Sequence, residues 1–70
     1  MKHEKLYKGM SADEVKEKWG EPIDSISSGL SILIYMESKE SILTLYFDMQ
    51  NNLHKVESTD KNNNINVIFE

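Results

Sequence analysis

An α+β fold, with one N-terminal helix packed on one face of an antiparallel meander of three to four strands, is what this chain predicts. Two observations carry the prediction. The stretch Gly9 to Pro22 writes a short helix with both of its ends marked. Residues 30–59 then run as apolar segments rich in Ile, Leu and Tyr, separated by polar turn clusters, the pattern of consecutive strands joined as hairpins.

The elements follow in order. Residues 1–8 are polar apart from Leu6 and Tyr7 and read as an arm that packs at its end. The helix occupies 11–19. Ser11 is the N-cap, its hydroxyl placed to accept an orphan N–H of the first turn. Glu14, three residues on, closes a capping box by reaching back to the Ser11 N–H, and Met10 and Val15 form a hydrophobic staple. Gly20 supplies the left-handed position after the last turn, and Pro22 forbids continuation. Ala12, Val15 and Trp19 share one face, opposite Asp13, Glu14, Lys16, Glu17 and Lys18. So short a helix does not stand alone in water, so it must dock.

Ile23 to Ile26 reads as a weak edge strand and Ser27-Ser28-Gly29 as a turn. Leu30–Met36 is a strand, Glu37–Glu40 a four-residue connection and Ser41–Asp48 the next strand. Gln50-Asn51-Asn52 turns the chain, since Asn tolerates left-handed geometry. Leu53–Thr59 is a further strand, residues 60–64 a polar loop, and residues 65–69 a last short strand. The sequence shows no internal repeat, second domain or linker.

Hairpin register decides which side chains meet the helix. If Met36 faces Ser41, one face holds Ile34–Leu43, Ile32–Leu45 and Leu30–Phe47 and is wholly apolar. The other holds Tyr35–Ile42, Leu33–Thr44 and Ser31–Tyr46. Val56 joins the apolar face beside Leu45, with His54 at its margin, and Leu53 reaches that face only through a bulge. The helix covers the apolar side, with Trp19 as its largest plug. Leu33, Tyr35, Ile42 and Tyr46 are then left exposed and form the candidate partner-binding set. On this register, truncating Tyr35 or Tyr46 weakens association without disturbing the fold. The rival expectation is that the arm or the last strand folds over this second face and covers it.

Composition narrows the classes. Hydrophobic residues make up 39% and charged residues 29%, which suits one small folded domain with a small core. No cysteine is present, so neither a disulfide nor thiolate chemistry is available. Eight Lys against twelve acids give a net charge of −4, and no Arg occurs. The first 22 residues balance, so the acidic excess lies beyond them. An acidic chain without Arg is a poor match for nucleic acid or anionic lipid. The longest apolar run, Ile32 to Met36, is far too short to enter a bilayer as a spanning helix. Many Asn, Lys and Ile codons with no Arg fit an AT-rich genome, bacterial or phage.

The segment Tyr7 to Pro22 resembles the opening signature of the SmpA/OmlA (BamE-like) domains, in which a Gly-Met-Ser/Thr turn starts a helix with a Glu-Val pair and a Gly-x-Pro ends it. Here those residues are Gly9-Met10-Ser11, Glu14-Val15 and Gly20-Glu21-Pro22. The run Leu43 to Asp48, followed by Asn51-Asn52-Leu53, is similar to that family's central strand and turn. The two matches cover about half the chain, and β-lactamase-inhibitor-protein-like domains share the same helix-then-meander unit. The resemblance implies a helix on an antiparallel meander and a non-enzymatic role in holding or organising other proteins, often at the bacterial envelope. Envelope members carry a signal peptide, a lipidated cysteine and a second helix, none of which this sequence shows. As written the chain reads as cytoplasmic, and as an envelope component if a signal segment was removed upstream.

No catalytic, cofactor or metal site is expected. His3 and His54 are far apart and lack companion ligands at metal-binding spacing. The serines at 25, 27, 28 and 31 sit in no nucleophile elbow or phosphate loop. Asp48 and Glu57 could pair as acid and base only in a pocket that 70 residues leave little room for. The expected partner is therefore a protein or a second copy, met through a sheet face or edge. An alternative is an acidic inhibitor or mimic that blocks a basic surface on a target protein.

Overall fold

The computed structural model describes residues 6–70, with the backbone alone at Ser28. The expectations for residues 1–5 of the arm, His3 included, lie outside the described residues. The helix α1 (Ala12–Trp19) is followed by β1 (Asp24–Ser28), β2 (Leu30–Ser38), β3 (Ser41–Phe47), β4 (Leu53–Asp60) and β5 (Ile65–Phe69). The strands form one antiparallel sheet in the order β1-β2-β3-β4-β5, so the α+β class holds but the sheet has five strands rather than three to four. The first and last segments both pair in it. An extended segment beside a free sheet edge satisfies its backbone donors and acceptors by joining the ladder.

The helix ends carry their signals with two differences. Ser11 is extended (φ −75°, ψ 155°) and its Oγ accepts the Glu14 N–H at 3.1 Å. The Glu14 carboxylate does not return to Ser11. It accepts the Tyr7 hydroxyl at 2.6 and 2.7 Å and faces the Lys18 ammonium at 3.6 Å. Met10 and Val15, the staple pair, are both fully buried. Gly20 donates its N–H to the Lys16 carbonyl at 2.9 Å, but its angles (φ +84°, ψ −159°) lie outside the left-handed helical well, in a region only glycine occupies.

The helix is moored at both ends. At its start the Gly9 N–H bonds the Leu53 carbonyl and the Leu53 N–H bonds the Met10 carbonyl, each at 2.7 Å, while the Ala12 N–H reaches the Asn51 carbonyl at 3.1 Å. At its end the Tyr35 hydroxyl donates to the Gly20 carbonyl at 2.8 Å, and the Tyr35 and Trp19 rings meet edge to face, 5.3 Å between centroids. Between these moorings Ala12, Val15 and Trp19 bury against Leu33, Tyr35, Leu43, Leu45, Phe47, Leu53 and Val56, with Leu6 and Phe69 packed at the margin.

The core therefore takes the other face of β2 from the one expected. The observed pairs are Leu33–Leu45 and Tyr35–Leu43 on the helix side, and Ile32–Tyr46, Ile34–Thr44 and Met36–Ile42 on the far side. The cause is a bulge. The β2–β3 turn is Lys39-Glu40 alone, Ser38 pairs with Ser41, and Glu37 is the extra residue between Met36 and Ser38. The Glu37 carboxylate accepts the hydroxyls of Ser41 (3.0 Å) and Ser58 (2.8 Å), which secures the bulge. Leu33 and Tyr35 are consequently core residues, 3% and 4% exposed, and Tyr35 clasps the helix instead of standing exposed as expected.

Two other expectations meet the structure more closely. A bulge between Tyr46 and Phe47 on one strand, and Leu53 and Lys55 on the other, brings Leu53 into the core, and Val56 pairs with Leu45. Ser27 and Ser28 lie in β1, leaving Gly29 (φ +88°) as the pivot into β2.

The β3–β4 and β4–β5 turns are built alike. In each, an Asp Oδ1 accepts backbone N–H groups two and four residues on: Asp48 from Gln50 (2.9 Å) and Asn52 (3.0 Å), Asp60 from Asn62 (2.9 Å) and Asn64 (3.0 Å). In each, the Asn three residues on has positive φ, 68° at Asn51 and 65° at Asn63. The same five-residue turn, Asp-x-x-Asn-Asn, thus occurs twice.

Candidate interaction face

The alternation of β2 and β3 places one apolar set against the helix and another on the opposite side, where no described element crosses. β1 contributes Ile26 to this open face, β2 contributes Leu30, Ile32, Ile34 and Met36, and β3 contributes Ile42, Thr44 and Tyr46. Lys55, Glu57 and Thr59 of β4, then Ile65 and Val67 of β5, complete it. Several of these are well exposed, among them Ile26, Leu30, Met36, Ile65 and Val67. β5 lies beside β4 and widens this surface; it does not fold across it.

The sequence-predicted set is thereby divided. Ile42 and Tyr46 stand on the open face, and Leu33 and Tyr35 stand in the core. Ile32, Ile34 and Met36 take their places, and sequence reasoning missed them because the one-residue register difference exchanges the two faces of β2. The available signal was the run Leu30–Met36 itself, apolar at every position but Ser31. A strand with one solvated face alternates with polar residues, whereas a strand covered on both faces does not.

The polar groups in the middle of this face are closed on one another. The Tyr46 hydroxyl donates to Glu57 Oε1 at 2.9 Å, the Lys55 ammonium meets Glu57 Oε2 at 3.1 Å, and the same ammonium lies 5.4 Å from the centre of the Tyr46 ring. Hydrogen bonding from Tyr46, then from Lys55, holds the Glu57 carboxyl below its ordinary range. Burial, then the bond to Glu57, pushes the Tyr46 phenol up, and the bond to Glu57 pushes the Lys55 ammonium up. All three therefore keep one charge state through neutral pH, and the cluster is neutral. Asp24, at the β1 end, is the one other charged residue among the strand positions facing this side.

The groups considered for chemistry are employed elsewhere. Asp48 fixes a turn, Glu57 belongs to the neutral cluster, and His54 sits half-buried in the β4 bulge. Among the described residues no group of three or more His, Cys, Asp or Glu side chains is arranged to hold a metal, and no helix is long and apolar enough to cross a membrane. An apolar groove of about 310 Å³ lies at the helix side, lined by Leu6, Trp19, Glu37, Leu43, Val56, Ile68 and Phe69. Comparison of the chain with protein-family models, with curated proteins and with solved structures finds no match.

Proposed function

We propose that this chain is a small non-catalytic protein–protein interaction domain that works through the open face of its sheet. The observation that carries the reading is that face: aliphatic across β1, β2, β3 and β5, with its central polar groups already satisfied. Contiguous apolar surface of this extent marks a contact site, and burying a polar cluster that needs no outside partner costs little. The helix-then-meander order and the Gly-Met-Ser to Gly-x-Pro helix also support kinship with the SmpA/OmlA-like domains and their role as scaffold or assembly components.

Placing a photo-crosslinking side chain at Ile42, in cells that express the protein, tests this directly. Adducts to protein are expected from position 42 and not from Lys16 on the outer side of the helix. Absence of any adduct at 42 overturns the reading. The acidic-mimic alternative makes the opposite demand. Acids available to it, Asp13, Glu14, Glu17 and Glu21, lie along and just beyond the exposed side of the helix, interleaved with Lys16 and Lys18. Adducts at Lys16 that fade steeply with salt would favour it, while contact through the aliphatic face responds little to salt.

A further inference from the structure

We propose that the occupant of the open face is a second copy of this chain, packed face to face across a two-fold axis that passes close to Thr44, so that two sheets make one closed sandwich. The proposal rests on the reading of the open face as a protein contact and names its partner.

Three observations select a copy over a different protein. The first is charge. The chain carries a net charge of −4, but the strand residues facing this side include only Asp24, Lys55 and Glu57 as charged groups, and Asp24 lies at the β1 end. Lys55 and Glu57 pair there within each copy, so the centre of the face carries no net charge into the contact. A partner selected by charge would be basic and would seek the acids beyond residue 22, five of whose seven positions are not among the strand positions of this face. The second is area. Five strands of about this length present a surface on the order of 500 Å², so mutual cover removes on the order of 1,000 Å² in total, the threshold for a specific interface. The third is geometry. β3 is the central strand, Thr44 is its middle residue, and Thr44 points to the open side between Ile34 and Glu57. A two-fold axis over this point overlays the whole of both faces and sets Thr44 against its own copy. Sheets stacked in this way interdigitate aliphatic side chains about 10 Å apart, which suits a centre of Ile34, Ile42 and Thr44.

Sedimentation equilibrium on the purified chain, which contains no cysteine, is the experiment, combined with a cysteine introduced at single positions. The wild-type chain is expected to sediment as a dimer in the micromolar range. Ile34→Lys and Met36→Lys are expected to be monomers that keep the near-ultraviolet signature of Trp19; Met36 is 55% exposed and tolerates the charge in the monomer. Thr44→Cys is expected to be joined to its copy by a short bis-maleimide crosslinker, which spans a sheet separation that a disulfide cannot, and Lys16→Cys is not. A wild-type chain that stays monomeric throughout overturns the proposal. So does a dimer that survives Met36→Lys and crosslinks through Asn66→Cys at the β5 edge instead of Thr44→Cys. If the purified chain is monomeric while position 42 captures a different protein in cells, this proposal falls and the interaction-domain reading stands. If position 42 captures nothing, both fall.

Discussion

Gly20 shows how much one backbone position can demand. An added Cβ there would meet no atom within 4 Å, so any cost of substitution is conformational. Its φ of +84° with ψ of −159° is closed to Asn as well as to Ala, whereas a left-handed helical cap would accept Asn at small cost. Gly20→Asn is therefore expected to lower stability as much as Gly20→Ala, each by about 1–3 kcal/mol, in urea unfolding followed by Trp19 fluorescence. A smaller loss for Asn would place Gly20 in the ordinary left-handed well. Two carboxylates make a second prediction at this scale. Backbone N–H bonds from Asn64 and Asn62 hold Asp60 below its ordinary value, as Tyr46 and Lys55 do for Glu57. Groups whose folded-state value is depressed stabilise above their unfolded value and lose that contribution as pH falls through the folded one. Stability should thus decline below about pH 4, and urea midpoints of Asp60→Asn and Glu57→Gln should decline less steeply over that range. At this scale the sequence was legible wherever a residue acts on its own neighbours: Ser11 as cap, Gly20 as stop, Asn51 at positive φ. It was not legible where a side chain acts at a distance, as when Tyr35 reaches the Gly20 carbonyl.

Glu37 governs the elements. A two-residue turn from Ser38 to Ser41, continued without the bulge, would pair Met36 with Leu43 and Ile34 with Leu45, and the helix would meet Ile34 in place of Tyr35. One extra residue moves β2 by one position against β3 and delivers Leu33 and Tyr35 to the core. Deleting Glu37 is therefore expected to remove more than about 4 kcal/mol, read as loss of a cooperative urea transition and of the near-ultraviolet signal of Trp19. Retention of both would show that β2 finds its register without the bulge. The strands themselves were readable from composition and turn residues, and β5 matches its expected span. The register was not, because β2 and much of β3 are apolar on both faces and alternation then carries no information about side. The twin turns have a similar lesson: Asp48-Met49-Gln50-Asn51-Asn52 and Asp60-Lys61-Asn62-Asn63-Asn64 share only three identities, and their common geometry emerges from the Asp and Asn hydrogen bonds.

The whole molecule is a meander in which every strand pairs only with its sequence neighbours, lidded on one side by a helix of eight residues. Eleven buried hydrophobic residues among those described make a thin core for a domain that must stand alone. Association through the open face would make stability depend on concentration, because a state bound only when folded is favoured by mass action. The thermal midpoint is expected to rise with protein concentration in the wild type and to be flat in Met36→Lys; a flat wild-type profile would show that the single copy supplies all of its own stability. The helix has a role in this beyond covering the core. One of its moorings is the first residue of β4 and the other is the middle of β2. It ties the middle of β2 to the start of β4 across the inner side of the sheet. Releasing the Tyr35 clasp unties β2 from the helix, so a change on the inner side is expected to alter how well the outer surface seats against a partner, at a site no altered atom touches.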